Sequence, residues 1–211
     1  SVAWRAMVAR LVELALSVFV LLRFVPESAA MQFTERVRWI PALGISYHLA
    51  VDGISVMFVG LTAFLTVLVV VYYWDTIRHQ VKLYMMCLLA LETTTMGVFV
   101  SLDLILFFVF WELMLIPMYL LIVIWGHAQR RHASFKFFLF TQAGSLVLLV
   151  AIIALALLHQ QATGRPSFDY ADLMGLTMTS ETAWWLMLAF LIGFLVKLPA
   201  PPFHAWLPDT Y

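Results

Sequence analysis

Charge is the scarcest commodity in this chain. Asp, Glu, Lys and Arg make up only 11% of its 211 residues, against about 25% in ordinary soluble domains. With 64% of residues hydrophobic, a soluble core of this size could not hide the apolar surface, so the chain is an integral membrane protein. Cysteine is nearly absent: Cys87 stands alone in an apolar run. That excludes an internal disulfide and a cysteine metal cluster, and leaves a small buried hydrophobe. Net charge is zero, and no basic stripe points to nucleic acid. There is no GxGxxG turn, phosphate loop, metal-spaced histidine pair or quinone or nucleotide fingerprint, so no cofactor is expected in this chain. Strand-like alternation is missing, which argues against a membrane barrel. A charged n-region and cleavage site are missing too, so no signal peptide is expected. Ser1 enters apolar sequence at once and Asp209-Thr210-Tyr211 closes no element, so the sequence reads as a fragment, cut at both ends, forming a single membrane domain over residues 1–211.

What is present is long apolar runs. A membrane helix needs about 20 apolar residues, and six candidates occur: 2–25, 53–74, 83–102, 104–125, 135–159 and 183–197. All are apolar all round, which fits membrane helices rather than amphipathic soluble ones. The expected fold is all-α, a polytopic helix bundle whose last helix is broken by prolines. Two long connections, 26–52 and 160–182, are polar and rich in turn formers, and read as surface segments. No internal repeat is found. Lys and Arg are split seven against four between the two sides. Arg5, Arg10, Arg78, Lys82, Arg130, Arg131 and Lys136 mark the expected cytoplasmic face. Both long loops then face outward. Tyr72, Tyr73, Trp74 and Trp125 read as interface anchors.

Against this background, Glu112 and Lys197 stand out. Glu112 lies eight residues past Leu104, about 12 Å along a helix, too deep for its short stem to reach water. Lys197 ends the sixth run. A lone charge at the bilayer centre costs at least about 2.5–3.5 kcal/mol and usually marks an ion path or proton relay. Burial favours the neutral form of each group and an opposite charge favours the ionised form, so the pair is a candidate switch. The sequence KLPAPPFHAWLP places Pro199, Pro201, Pro202 and Pro208 just after Lys197. Proline breaks a helix, and broken helices at membrane depth commonly mark ion sites. Pro117 is expected to open the fourth helix near Glu112 in the same way. Glu92 is a third intramembrane acid with an accessory polar role, its hydrogen bonds shared by the three threonines that follow. His204, beyond the break, is a candidate proton relay. His127, His132 and His159 sit at run ends and read as solvated.

Several strings carry a resemblance. GISYHLAVDGIS, SLDLILFFVFWELMLIPMYLLIVIWG, FKFFLFTQAGSL and FLVKLPAPPFHAWLPD resemble the antiporter-like membrane subunit of proton-pumping NADH:quinone oxidoreductase (respiratory complex I), chain M type, also called subunit 4. The resemblance runs from about Gly44 to Asp209. It implies that the six runs are the family's second to seventh helices. It also implies that Glu112 matches the family's key glutamate and Lys197 the lysine paired with it. His204, Trp206 and Pro208 match the segment after the break. The resemblance implies proton translocation in a bacterial inner membrane or an organellar inner membrane. FMN, Fe–S clusters and quinone belong to other subunits, and the partners are other membrane subunits, including neighbouring antiporter-like ones, and the lipid bilayer. Related cation/proton antiporters and membrane-bound hydrogenases share the Glu and Lys motifs and form the alternative. A plain membrane anchor leaves both charges unexplained.

Overall fold

The computed structural model of the protein describes residues 2–74 and 76–210. The chain forms α1 (Val2–Arg23), β1 (Gln32–Ile40), β2 (Ile45–Val51), α2 (Ser55–Tyr72), α3 (Val81–Val100), α4 (Leu104–Leu113), α5 (Leu115–Trp125), α6 (Arg130–Thr163), α7 (Tyr170–Leu173), α8 (Ser180–Lys197) and α9 (Leu207–Thr210). Short 3-10 turns occupy Pro41–Leu43 and Phe203–Trp206. The expected bundle is present, with differences that have physical causes. The fourth run is two helices, parted at Met114. Pro117 has no N–H to offer the carbonyl four residues back, and its ring crowds that turn, so the ladder opens one residue past α4. The fifth run is a 34-residue helix, longer than its apolar stretch. The sixth starts at Ser180, three residues earlier than its apolar pattern, because Thr179 caps it by accepting from the Thr182 N–H.

Among the described residues, five segments are long and apolar enough to cross a membrane: Ser55–Tyr72, Val81–Val100, Leu104–Trp125, Arg130–Thr163 and Ser180–Lys197. The sixth rod, α1, has 22 residues but carries Arg5, Arg10 and Glu13 among its first twelve. It packs against α2 and α3.

The two long connections are ordered, and the first holds a β-hairpin where no strand was expected. β1 and β2 pair antiparallel, with Arg36 opposite His48 and Arg38 opposite Ser46. β2 is buried at five of its seven residues, a burial that its neighbours in space supply. The turn ends at Gly44, whose φ of 70° is left-handed. A side chain there would also collide with the Pro166 carbonyl, so the site requires glycine on both counts. The hairpin docks on two other segments: Leu102 N–H donates to His48 O (2.8 Å), and Phe168 N–H donates to Gly44 O in the turn (3.4 Å). Buried Asp103 caps α4 through the N–H groups of Ile105 and Leu106 and also accepts from Ser46 N–H at 2.8 Å. Buried Asp169 accepts from His48 Nδ1 at 2.7 Å and Arg36 at 3.0 Å. Both long loops therefore lie at one end of the bundle.

At the other end the aromatic residues expected to anchor in lipid also hold one another. Tyr84 meets Tyr73 and Trp125 edge-on, and Trp125 Nε1 donates to His79 O at 3.1 Å. Cys87 is buried and free, as expected. The charge count behind the orientation changes by one: Arg10 is a buried residue of α1 and not a loop charge. The remaining bias leaves the expectation unchanged that the short-loop end faces the cytoplasm. Cysteine probes at His79 and Arg130 should react from the cytoplasmic side and probes at Ser28 and Gly164 from the other. Reversed labelling overturns the orientation.

Candidate functional site

α6 and α8 approach closely because glycine faces a large residue in both directions. A Cβ on Gly144 would stand 2.8 Å from Val196 Cβ, and one on Gly193 would stand 2.9 Å from Leu148 Cβ. Small residues at such crossings let membrane helices touch along their backbones. This seat fixes Val196, and with it the adjacent Lys197. On α4, Phe110 lies over Gly97 of α3 and anchors the turn that carries Glu112.

The helices that carry Glu112 and Lys197 touch each other, and each also leans on a third helix. α8 packs on α6, and it meets α4 along an aromatic seam. Phe194 contacts Phe107 and Trp111 edge-on, with ring centroids 6.4 and 5.7 Å apart. Lys197 Nζ donates to the Trp111 carbonyl at 2.9 Å and sits 4.3 Å above the Trp111 ring. It is within electrostatic reach of Glu112, but the two do not form a direct ion pair. One Glu112 oxygen, Oε1, is buried and accepts no hydrogen bond from the described residues. By helix register Lys197 lies deeper than Glu112, and the early start of α8 widens that gap. Side chains on a helix lean toward its N-terminus, and the long Lys stem covers the difference.

Both groups stand at helix ends. Glu112 is in the last turn of α4 and Lys197 is the last residue of α8. The Trp111 carbonyl is among the last-turn carbonyls that a helix end leaves without a backbone donor, and the ammonium satisfies it. The positive charge also suits the C-terminal dipole of α8. The second break is closed likewise: Trp206 Nε1 donates to the Val196 carbonyl at 3.0 Å. A cavity of about 270 Å³ lies between the breaks, lined by Met114, Lys197, Pro199, Trp206 and Thr141 among others, and it has room for several waters. Pro117 is buried at the start of α5 and Pro199 follows Lys197 on this cavity, as the sequence suggested.

The segment past the break is tied to α6. Trp206 packs on Phe137 with centroids 5.1 Å apart, and Lys136 Nζ donates to Asp209 at 2.7 Å. That hydrogen bond holds the Asp209 carboxyl below its usual range. His204 is exposed and makes no side-chain hydrogen bond among the described residues. Glu92 is buried, but its expected partners differ. Thr93, Thr94 and Thr95 donate back to carbonyls of their own helix, which is the usual local choice for a helical threonine. Glu92 instead pairs with Arg10 of α1. Sequence reasoning missed Arg10, Asp103, Asp169 and the Lys136–Asp209 tether. Only Asp103 had a local signal, a capping residue just before an apolar run. Among the described residues no cluster of His, Cys, Asp or Glu could hold a metal ion.

Residues 101–211 match the family described as NADH:quinone oxidoreductase/Mrp antiporter, TM. The chain belongs to this family. It is therefore a transmembrane protein of the antiporter-like fold. NADH-quinone oxidoreductase subunit M of Pseudomonas aeruginosa is 46% identical over 182 residues, covering 83% of this chain and 36% of that protein. F(420)H(2) dehydrogenase subunit M of Methanosarcina mazei is 39% identical over 204 residues, covering 95% of this chain and 41% of that protein. Respiratory complex I from Thermus thermophilus contains a similar chain, with TM-score 0.84 and 27% identity over all of this chain and 42% of that one. The chain thus spans about two fifths of the length of the relatives it matches. Replacing Trp206 by Phe keeps the ring but strands the Val196 carbonyl. It should lower stability by about 1–3 kcal/mol. An unchanged thermal unfolding midpoint of the purified protein in detergent would show that this bond does not hold the break.

Proposed function

We propose that this chain is part of an M-type antiporter-like subunit that moves protons across a bacterial inner membrane, or an organellar inner membrane, driven by quinone reduction elsewhere in an NADH:quinone oxidoreductase. In this reading it is a non-redox subunit of a translocating enzyme. FMN, Fe–S clusters and quinone belong to other subunits, and the partners are the neighbouring antiporter-like and other membrane subunits.

The observation that carries the reading is the Glu112–Lys197 arrangement. A locked ion pair would hold both charges permanently. Here the ammonium rests on a backbone carbonyl and an indole face, within reach of a carboxylate that has a buried oxygen free to accept. Moving Glu112 toward Lys197 favours the charged amine, and moving it away favours release of a proton. Arginine cannot make that release, whereas lysine can. The cavity at the two breaks gives the released proton a path by water, and the post-break segment, tethered through Trp206 and Asp209, lines it.

A second reading places the chain in a related cation/proton antiporter or membrane-bound hydrogenase complex. Fold likeness reaches that far: a chain of the Mrp complex from Dietzia has TM-score 0.79 at 20% identity. The M-type names of the more similar relatives favour the first reading. Copurification of the tagged full-length subunit decides between them: flavin- and Fe–S-containing subunits with NADH oxidation support the first, and their absence supports the second.

Within the assembled complex, Glu112→Gln or Glu112→Ala should cut coupled NADH-to-quinone turnover and proton pumping at least about tenfold, corresponding to roughly 1.4 kcal/mol or more. Glu112→Asp should be milder. Normal pumping by Glu112→Ala removes the carboxylate from the mechanism. Lys197→Ala should abolish pumping and Lys197→Arg should restore it only in part. Full rescue by Arg would mean that Lys197 supplies charge alone and never releases its proton.

A further inference from the structure

The bundle holds a second group of intramembrane charges, apart from Glu112 and Lys197. The Arg10 guanidinium, 1% exposed, pairs with the Glu92 carboxylate, also 1% exposed, and Arg10 Nη1 lies 3.6 Å from Glu13 Oε2. Arg10 and Glu13 lie near the middle of the 22-residue α1, and Glu92 is near the middle of the 20-residue α3. Pairing across α1 and α3 sets all three at the same depth, midway along a membrane-spanning helix.

The charge count does not close. One cation faces two acids. The other ionisable groups on α1 are Arg5 and Arg23, both exposed and each at least about one helical turn away. Packed elements add Tyr72 on α2, Lys82, Tyr84 and Cys87 on α3, Glu112 on α4, Tyr119 on α5, and Tyr47 and His48 on β2. Among the described residues none of these forms an ion pair with the three. With every group ionised, the cluster carries one uncompensated negative charge at membrane depth, the costliest place for it. Arg10 cannot give up its proton, so neutrality comes from a proton on one carboxyl.

We propose that Arg10, Glu13 and Glu92 form a second intramembrane proton-holding site, in which the two carboxyls share one exchangeable proton. With Arg10 on Glu92, as observed, Glu13 carries the proton. If the guanidinium turns to Glu13, one helical turn along its own helix, the proton moves to Glu92. A groove of about 230 Å³ beside Glu92 is lined by Thr62, Thr66 and Thr95. Each of these hydroxyls already donates to a carbonyl of its own helix, so each oxygen remains an acceptor for a Glu92 hydroxyl or a water passing its proton.

The test needs no turnover and is independent of the Glu112–Lys197 reading. Infrared spectra of the purified complex, taken at neutral pH in H2O and D2O, report protonated carboxyls as a C=O band that shifts on deuteration. Glu13→Gln and Glu92→Gln should each remove the same single-carboxyl share of that band, because either change leaves one acid with one cation. Arg10→Gln should add a share of equal size, because both acids must then be neutral. Glu13→Gln alters the most exposed member and keeps the Arg10–Glu92 pair, so it serves even where Arg10→Gln prevents assembly. A band unchanged in both Glu→Gln variants means that Glu13 is ionised and the cluster is a fixed ion pair with a separate acid, which overturns the proposal.

Discussion

A carbonyl set free inside a membrane must find a donor, and this structure is organised around two of them. Water cannot supply the bond in the hydrocarbon region, and an unsatisfied backbone group there costs several kcal/mol. The breaks after α4 and α8 each free a carbonyl inside the bundle. Lys197 donates to one, at Trp111, and Trp206 donates to the other, at Val196. The first break is closed by a side chain of α8, and the second by one from the segment that follows it, held on α6. The first closure sets an ionisable amine beside a buried carboxylate.

The close helix packing serves that arrangement. Gly144 and Gly193 bring α8 against α6, and Gly97 receives Phe110 of α4. These seats leave an aromatic seam as the contact between the two helices that carry Glu112 and Lys197. The rings of that seam exchange no hydrogen bonds, and the one bond across the contact comes from the Lys197 side chain, so side chains there can shift without breaking a backbone ladder. The charged end of the bundle contrasts with this. There Asp103 and Asp169 each bind two separate segments and hold the hairpin, the start of α4 and the second long loop as one unit. The static part of the molecule is knitted by carboxylates that are fully bonded. The part read as moving has a carboxylate with an oxygen to spare.

Relatedness and geometry meet at different points. The family match covers residues 101–211, which contain both breaks and both charges of the pair. The Arg10–Glu92 contact joins that region's neighbour α3 to α1, outside the matched residues.

The sequence by itself determined the membrane class, six helical rods and the residues of interest, because apolar length and intramembrane charge are local properties that no packing can reverse. It also located both breaks, since a proline removes its N–H wherever the chain goes. Three things were decided only by tertiary structure. The hairpin at 32–51 forms because its strands are held by Asp103, Asp169 and the Pro166–Phe168 backbone, partners more than fifty residues away in sequence. Glu92 meets Arg10 and not its own threonines because a helical hydroxyl satisfies itself locally, while a buried acid needs a cation from another helix. Lys197 rests on the Trp111 carbonyl and not on Glu112 because α8 is seated by α6. Which oxygen an ammonium reaches depends on how two helices cross, and spacing along one chain carries no record of that crossing.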